Sequence, residues 1–269
     1  MPIYFPAEKV AGSNYPFQLE SRWAPKNIRL NIEYDGANFH GWQRQLALPT
    51  IQGHIEDVLK KVLGRKTTLY GASRTDSGVH AKGQVANFFA ESTIPPDRWA
   101  AVLNTQLPPT IRLSGSAEAP SDFHAQKDAR AKIYEYRLLN RKSASALDRR
   151  VCFYPRPLSW EKIRESLPLF VGRKDFKAFQ AAKADVRSTV RTVFRFELLE
   201  DEAGMFRFVV EGNGFLKQMV RTMIGTLLEI GENKRSPEEV HALFSERKRE
   251  LAGRTAPAAG LCLVKVRYE

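Results

Sequence analysis

Cysteine is scarce in this sequence, and long apolar runs are missing. Two cysteines, Cys152 and Cys262, are too few for a disulfide framework or a cysteine-rich metal site, which fits a reducing compartment. No apolar stretch reaches the roughly eighteen residues that a membrane-spanning helix needs. The initial stretch MPIYFPAEKVAG has no apolar segment typical of a secretory signal. We therefore expect a cytoplasmic protein with no membrane partner.

The fingerprints of nucleotide and metal sites are also missing. The sequence contains no G-x-G-x-x-G dinucleotide fingerprint, no P-loop, and no cluster of His and Cys at metal-ligand spacing. No motif in the sequence therefore indicates a metal or cofactor site.

Acidic residues are outnumbered by basic ones. The 269 residues include 42 Lys and Arg against 30 Asp and Glu, which gives a formal net charge of +12. This excess indicates a polyanionic partner such as nucleic acid, although a merely basic soluble protein would have the same composition. With 43% hydrophobic and 27% charged residues, the chain is typical of a soluble globular protein with one or two domains.

The stretch with the densest functional chemistry is GASRTDSGVHAKGQVANFF, residues 71–89. Small residues favour a tight loop that exposes the carboxylate of Asp76, with Arg74 before it and His80 after it. Asp-Ser-Gly is also a common turn sequence, so a structural turn with Arg74 in a surface ion pair is the alternative. His80 is either an acid–base group or a hydrogen-bonded loop histidine.

The first part of the chain has the pattern of an α+β unit. Residues 1–25 are rich in proline and aperiodic, which predicts an appended arm. Thr50 and Gly64 are expected to cap a helix over 51–63. Strands are predicted at 28–34, 69–70, from Gln84 and at 111–114, with a second helix over 99–103. This order is typical of a ferredoxin-like unit, which we assign to a domain over 26–120.

A second α+β domain is predicted over 121–269. Residues 141–158 are expected to form a loop, and the basic stretch 172–191 forms either a phosphate-binding patch or a solvated face. Strands are predicted at 133–139, 193–199, 205–211 and 261–268, and helices at 159–170, 215–230 and 236–249. Tyr134 and Tyr136 share one strand face, where they either contact bases or pack in the core.

The helix predicted over 215–230 is apolar over most of its circumference, which indicates burial. Arg221 interrupts this apolar surface, and a buried arginine needs a carboxylate or phosphate partner. We expect that partner to be Asp76. The alternative is an arginine at the rim with its head in solvent.

Five separated segments resemble one enzyme family, the tRNA pseudouridine synthases of the TruA type. The segments are RTDSGVHA (74–81), NFHGWQRQ (38–45), FHA (123–125) with the tyrosine that follows it, NGFLKQMVRTMIG (213–225) and TAPAAGLCL (255–263). The family signatures that they resemble include RTDxGVHA, GWQxQ, GxGFxxxMVRxxxG and TAPAxGLxL. The chain departs from the family at Ser73, where many members have Gly, and at Ile133, where a basic residue is usual.

The resemblance implies an isomerase that converts uridine to pseudouridine at positions 38, 39 and 40 of the tRNA anticodon stem–loop. Such enzymes break the N1–C1′ bond, turn the base and rejoin it through C5, without a metal or cofactor. The resemblance also implies a homodimer that binds tRNA. It implies two ferredoxin-like (RRM-like) halves with joined antiparallel sheets and a basic central cleft.

The resemblance also implies roles for individual residues. Asp76 is expected to act as the catalytic nucleophile or base, kept ionised by Arg221. Tyr134 and Leu261 are expected to lie against the target base, and Tyr134 also to assist proton movement. Arg74 is expected to hold the backbone or to help flip the nucleotide out.

His80 is a further candidate substrate contact. Cations in three segments are candidate RNA ligands, and these are Arg44, Arg173, Lys174 and Lys217.

Two other classes of protein share parts of this pattern. A non-catalytic RNA-binding protein would keep the fold and the charge. A glycoside hydrolase would use Asp76 as its nucleophile, but that chemistry usually needs a second carboxylate within several ångströms. The central stretch supplies no second carboxylate.

Overall fold

The computed structural model describes residues 24–182, 186–201 and 204–269. The arm predicted over residues 1–25 lies outside the described residues except for its last two positions. Lys183 in the predicted basic stretch and the middle of the turn predicted at 201–204 lie outside them as well.

The described residues form one ten-stranded sheet and five α-helices. The strands are β1 (Lys26–Tyr34), β2 (Tyr70–Gly71), β3 (His80–Ala90), β4 (Ile111–Ala119), β5 (Ala131–Leu139), β6 (Cys152–Phe153), β7 (Gly172–Asp175), β8 (Val190–Glu200), β9 (Met205–Gly212) and β10 (Leu261–Arg267). The helices are α1 (Ile51–Leu63), α2 (Trp99–Asn104), α3 (Trp160–Ser166), α4 (Met219–Gly231) and α5 (Glu239–Glu246).

The sheet is assembled from both halves of the chain. Its strand order is β4-β1-β3-β10-β5-β9-β8-β7, with β2 beside β3 and β6 beside β5. Strand β10 runs parallel to β3, where Cys262 faces His80, and antiparallel to β5, where Leu261 faces Tyr136. The last strand therefore joins the early strands to the later ones, which gives a mixed α+β fold with a large, mostly antiparallel sheet.

Strand β1 and helix α1 follow from simple sequence signals. The alternation in β1 is confirmed, because Ile28, Ile32 and Tyr34 are buried. Helix α1 has the predicted bounds: the Thr50 hydroxyl accepts from the N–H of Gly53, and Gly64 ends the helix at a φ of +70°. Buried residues of β1 and α1 belong to the same hydrophobic core.

The buried helix predicted over 215–230 begins four residues later, at Met219. Gln218 has a left-handed conformation with a φ of +63°, which a continuous α-helix does not allow. Phe215 instead packs edge-on against Tyr134, with the ring centres 5.3 Å apart. A Cβ atom at Gly212 would lie 3.1 Å from the Phe215 ring, so a glycine there leaves room for this turn.

Three other predicted elements differ in their extent. The helix predicted over 159–170 stops at Ser166 and continues as a 3₁₀ turn containing Pro168, which cannot donate a helical hydrogen bond. The helix predicted to reach residue 249 ends at Glu246, because Arg247 is left-handed with a φ of +59°. The predicted loop over 141–158 contains β6.

Strand β7 was not predicted, and it pairs with β8 inside the basic stretch. Strands β3, β4 and β5 are longer than their predicted runs. No helix among the described residues has the length and apolar character needed to span a membrane.

Candidate active site

Asp76 lies on a tight loop between β2 and β3. Gly78 has a φ of +78°, and the N–H of Val79 donates to the carbonyl oxygen of Asp76 at 3.2 Å. The chain therefore turns back immediately after the aspartate. The side chain of Asp76 remains 16% exposed, so the carboxylate can reach a bound molecule.

A second loop, residues 36–45, is hydrogen-bonded to the Asp76 loop. The N–H of Trp42 donates to the carbonyl of Thr75 at 3.1 Å, and the N–H of Gly78 donates to the carbonyl of Phe39 at 3.2 Å. Gly41 has a φ of +87°, and a Cβ atom there would lie 2.6 Å from the Thr75 carbonyl oxygen. A side chain at position 41 would therefore push the two loops apart.

Buried hydrogen bonds fix the start of the Asp76 loop. The side-chain amide of Gln84 accepts from the N–H of Ser73 at 3.1 Å and donates to the Ser73 carbonyl at 2.7 Å. The Ser73 hydroxyl is 2.7 Å from the Tyr134 hydroxyl, and Tyr34 and Thr75 share a second hydroxyl pair at 2.7 Å. Ser73, the departure from the family pattern, thus connects the loop to β5.

Arg221 reaches Asp76 from helix α4, 145 residues further along the chain. Its Nη1 lies 3.2 Å from Asp76 Oδ2, and its Nε donates to the Ala256 carbonyl at 2.8 Å. The two charged side chains are only 14% and 16% exposed, so water screens their attraction less than it would at an open surface. The ion pair predicted from the sequence is present.

An aromatic and aliphatic wall stands beside this ion pair. Tyr134 is buried, with Phe215 packed edge-on against its ring. Leu261, also buried, faces Tyr136, and Leu263 faces Tyr134, so Leu261 and Tyr134 are diagonal neighbours on one face of the sheet. Burial raises the pKa of the Tyr134 phenol well above its usual value, which keeps the phenol protonated.

His80 is buried and faces the turn at Asp35 and Gly36. Its Nδ1 accepts from the N–H of Gly36 at 3.1 Å and lies 3.0 Å from Asp35 Oδ1. Burial lowers the pKa of His80, which leaves the ring neutral at pH 7. These contacts fit the alternative of a hydrogen-bonded loop histidine. Arg74, by contrast, is exposed on the Asp76 loop.

The candidate RNA ligands differ in how far they are already occupied. Arg44 is bound to α1, with Nη2 2.7 Å from Asp57 Oδ1 and Nη1 3.3 Å from Glu56 Oε2. Arg173 and Lys217 are exposed. Lys174 is half-buried, with its Nζ 5.2 Å from the centre of the Phe244 ring.

Sequence reasoning missed two residues that hold this site, Gln84 and Lys132. Lys132 is half-buried, and its Nζ donates to the Ala72 carbonyl at 2.7 Å. The sequence offered for Gln84 only an amide at the start of a predicted strand. The structure buries this amide fully, and buried polar side chains need partners. The signal for Lys132 was a lysine on the same strand face as Tyr134.

The arrangement is suited to chemistry on a flat, uncharged ring. A carboxylate held by a guanidinium can act as a nucleophile or a base, and the wall of Tyr134 and Leu261 can bind one face of a base. Within residues 24–182, 186–201 and 204–269, no three His, Cys, Asp or Glu side chains are grouped as metal ligands.

The comparisons with known proteins agree on one family. A sequence model of the tRNA pseudouridine synthases matches residues 31–126 and 167–269, which include Asp76, Arg221 and Leu261 but not Tyr134. The tRNA pseudouridine synthase A of Clostridium acetobutylicum is 42% identical over 244 residues, covering 90% of this chain and 100% of the relative. That of Acetivibrio thermocellus is 44% identical with the same coverage.

Among solved structures, an archaeal box H/ACA sRNP Nop10-Cbf5 complex is similar with a TM-score of 0.38 and 12% identity. The similarity covers 88% of this chain and 60% of that chain. A likeness at this level supports no conclusion by itself. The family match and the full-length relatives, however, show that this chain belongs to the tRNA pseudouridine synthase family.

Proposed function

We propose that this protein converts uridine to pseudouridine at positions 38, 39 and 40 of the tRNA anticodon stem–loop. The observation that carries this proposal is the ion pair between Asp76 and Arg221, at 3.2 Å, on a loop with the family signature. Conversion of uridine to pseudouridine is an isomerisation, so the chemistry requires one activated group rather than a co-substrate.

In the proposed reaction, Asp76 acts on a uridine that has been flipped out of the RNA. Its carboxylate either attacks C1′ of the ribose or C6 of the base, or removes a proton from the sugar. The N1–C1′ bond breaks, the base turns, and C5 bonds to C1′. The bond formed to Asp76 breaks during or after this step, or the proton taken from the sugar returns to it. The C5 proton then leaves and N1 gains a proton, so atoms and charge balance. Arg221 favours the ionised carboxylate that each of these routes needs.

The base is proposed to lie between Tyr134 and Leu261. Extruding a nucleotide costs a few kcal/mol, which contacts in such a pocket offset. Tyr134 keeps its phenolic proton, so it can donate a hydrogen bond, whereas its raised pKa makes it a weak proton donor. Arg74, exposed beside Asp76, is proposed to occupy the space that the flipped nucleotide leaves, and His80 to hold the loop behind it.

The proposed RNA surface is a basic cleft with Arg173, Lys174 and Lys217. The sequence prediction includes Arg44 as well, which would have to exchange Glu56 and Asp57 for phosphate. A tRNA substrate implies a cytoplasmic protein, and we propose a homodimer with the RNA crossing both subunits.

We further propose two ferredoxin-like halves, one in a domain over 26–120 and one in a domain over 121–269. The strand orders β4-β1-β3-β2 and β10-β5-β9-β8 support this proposal, since each unit runs in the same 4-1-3-2 order. The two units meet where β10 pairs with β3.

The proposal is tested by mapping pseudouridine in unmodified tRNA transcripts that carry a single uridine at position 38, 39 or 40. Carbodiimide adducts stop primer extension one nucleotide before each pseudouridine. We expect stops at these positions with the wild-type protein and none with Asp76→Asn, while tRNA binding by the variant persists.

Two results would contradict the proposal. The first is no modification in any of several tRNAs with a uridine at position 39. The second is equal modification by wild type and Asp76→Asn, which would leave a protein that binds RNA without using this carboxylate.

A further inference from the structure

Lys132 is a cation that lies where the Asp76 loop meets the sheet. It precedes Tyr134 by two residues on β5, so both side chains lie on the same face. Its Nζ donates to the carbonyl of Ala72, next to Ser73. Burial, and after it the charge of Arg191, lowers the pKa of Lys132 to about 8.

Arg191 lies close to Lys132 across the sheet. Gly212 of β9 faces Lys132 on one side and Val193 of β8 on the other, and Arg191 is two residues before Val193. Its Nη1 donates to the carbonyls of Ser188 and Val190. Burial lowers the pKa of this guanidinium, but it remains charged at neutral pH.

Lys174 extends this row of cations. It faces Arg191 directly in the pairing of β7 and β8. Two like charges facing each other on neighbouring strands destabilise a sheet unless an anion lies between them. The neighbouring carboxylate, Asp175, is already engaged by Thr189 and Arg247. Among the residues that the structure describes, no carboxylate lies within ion-pair distance of Lys132, Arg191 or Lys174.

The row is adjacent to the pocket proposed for the base. Phe215, which packs on Tyr134, follows Gly214, and a Cβ atom at Gly214 would lie 3.8 Å from the Nε of Arg191. The guanidinium therefore lies close to the backbone that leads to Phe215. Cations next to aromatic rings are the arrangement that binds single-stranded nucleic acid, with phosphates at the cations and bases at the rings.

We propose that Lys132, Arg191 and Lys174 form a binding site for one phosphodiester group next to the target uridine. This inference rests on the proposed function, because it requires the base to lie against Tyr134. A phosphate oxygen supplies the acceptor that the free donors of Lys132 and Arg191 lack. Lys132 also donates a hydrogen bond to the Ala72 carbonyl, so binding of the phosphate aligns the Asp76 loop with the flipped nucleotide.

The test uses anticodon stem–loop RNAs in which one phosphate at a time, on either side of the target uridine, is replaced by an uncharged methylphosphonate. Dissociation constants and single-turnover rates are measured for the wild type, Lys132→Gln and Arg191→Gln. We expect one replacement to weaken binding to the wild type by about tenfold and to have little further effect on either variant.

Arg195→Gln is the matched control. Arg195 is on the same strand as Arg191 but pairs with Glu197 and Glu211. We expect the sensitive phosphate in this variant to remain as important as in the wild type. The hydrogen bonds of Arg191 go to Ser188 and Val190, outside the Asp76 loop. Arg191→Gln therefore tests the site even where Lys132→Gln disturbs Ala72.

The outcomes separate this inference from the proposed function. If the wild type forms pseudouridine but every replacement has the same effect in the wild type and both variants, the phosphate site is wrong and the function stands. If the wild type binds these RNAs without forming pseudouridine, the proposed function is wrong. The site would also be wrong if replacement of a phosphate weakened binding to the wild type and to both site variants but not to Arg195→Gln.

Discussion

At the scale of single residues, the site depends on one carboxylate and one guanidinium with little water around them. Arg221 has two partners, the carboxylate of Asp76 and the carbonyl of Ala256. The carbonyl fixes the direction of the guanidinium before any substrate binds. Such fixed charges stabilise a reaction without the cost of reorganising solvent during it.

Replacing Arg221 with Ala is expected to reduce turnover rather than binding. Loss of one preorganised charge typically lowers kcat by about a hundredfold or more, whereas KM depends on the distant phosphate contacts. Arg221→Lys should recover part of the rate, because it restores the charge without the second hydrogen bond. Steady-state kinetics on tRNA measure both parameters. A KM effect with unchanged kcat would contradict this role.

Lys132 should make the free energy of unfolding depend on pH in the alkaline range. Its pKa is about 8 in the folded protein, against an ordinary value of 10.5, so the unfolded chain binds more protons between these values. The free energy of unfolding contributed by Lys132 therefore rises with pH in this window, by at most about 1.4 kcal/mol per pH unit.

The comparison is urea unfolding of the wild type and Lys132→Met from pH 7.5 to pH 10. We expect the wild type to gain stability relative to the variant as the pH rises. Parallel stability curves for the two proteins would show that burial does not disfavour the charged form of Lys132.

At the scale of elements, helix α4 and the segment before β10 are packed at backbone contact. A Cβ atom at Gly225 would lie 1.6 Å from the carbonyl oxygen of Arg254. The N–H of Gly253 donates to the Thr226 hydroxyl at 3.0 Å, and the N–H of Ala256 donates to the carbonyl of Arg221 at 3.0 Å. This close packing positions the carbonyl that orients the Arg221 guanidinium.

Gly225→Ala should therefore destabilise the protein, although alanine is the better helix former. The methyl group cannot fit beside the Arg254 carbonyl, so the segment must move, at a cost of about 2 to 4 kcal/mol. Gly64→Ala is the control: it has a φ of +70° but no atom within 4 Å of the added Cβ, and should cost about 1 kcal/mol. Denaturant unfolding that ranks Gly225→Ala as the more stable variant would contradict the contact.

Local signals predicted some elements well and others poorly. Helix α1 has its cap, its periodicity and its terminal glycine within one stretch, so its bounds were predictable. The start of α4 was not, because the left-handed turn at Gln218 serves the contact of Phe215 with Tyr134, which is distant in sequence. Strand β7 lacks alternation, and its pairing with β8 decides its conformation.

The site was predictable where burial and resemblance agreed. An arginine in an apolar helix required a partner, which identified the pair with Asp76. Two other contacts could not be predicted, the hydrogen bonds of Gln84 with Ser73 and of Lys132 with Ala72. Each joins residues whose proximity depends on the sheet register. No spacing in the sequence reveals that register.

At the scale of the whole molecule, the fold brings two distant parts of a basic chain to one place. Strand β10 inserts between β3 and β5. The segment before β10 is hydrogen-bonded to helix α4, and Arg221 of α4 reaches the Asp76 loop. The formal net charge of +12 adds a long-range attraction for tRNA. Binding and chemistry should therefore respond to different substitutions.

The salt dependence of tRNA binding tests this division. We expect a steep wild-type slope of log Kd against log salt, reduced by about 1.4 to 1.8 when the exposed Arg173 and Lys217 are both replaced with Gln. The single-turnover rate at saturating tRNA should change little. Lys26→Gln, which removes a cation paired with Glu118, is the control and should leave the slope unchanged. An equal loss of rate and affinity in the double variant would argue against the division.

The most direct test of the central role of Asp76 is release of tritium from uridine C5 in labelled, unmodified tRNA under single-turnover conditions. We expect stoichiometric release by the wild type and none above background by Asp76→Asn at saturating protein, where both bind the tRNA. Release by Asp76→Asn at the wild-type rate would contradict the account.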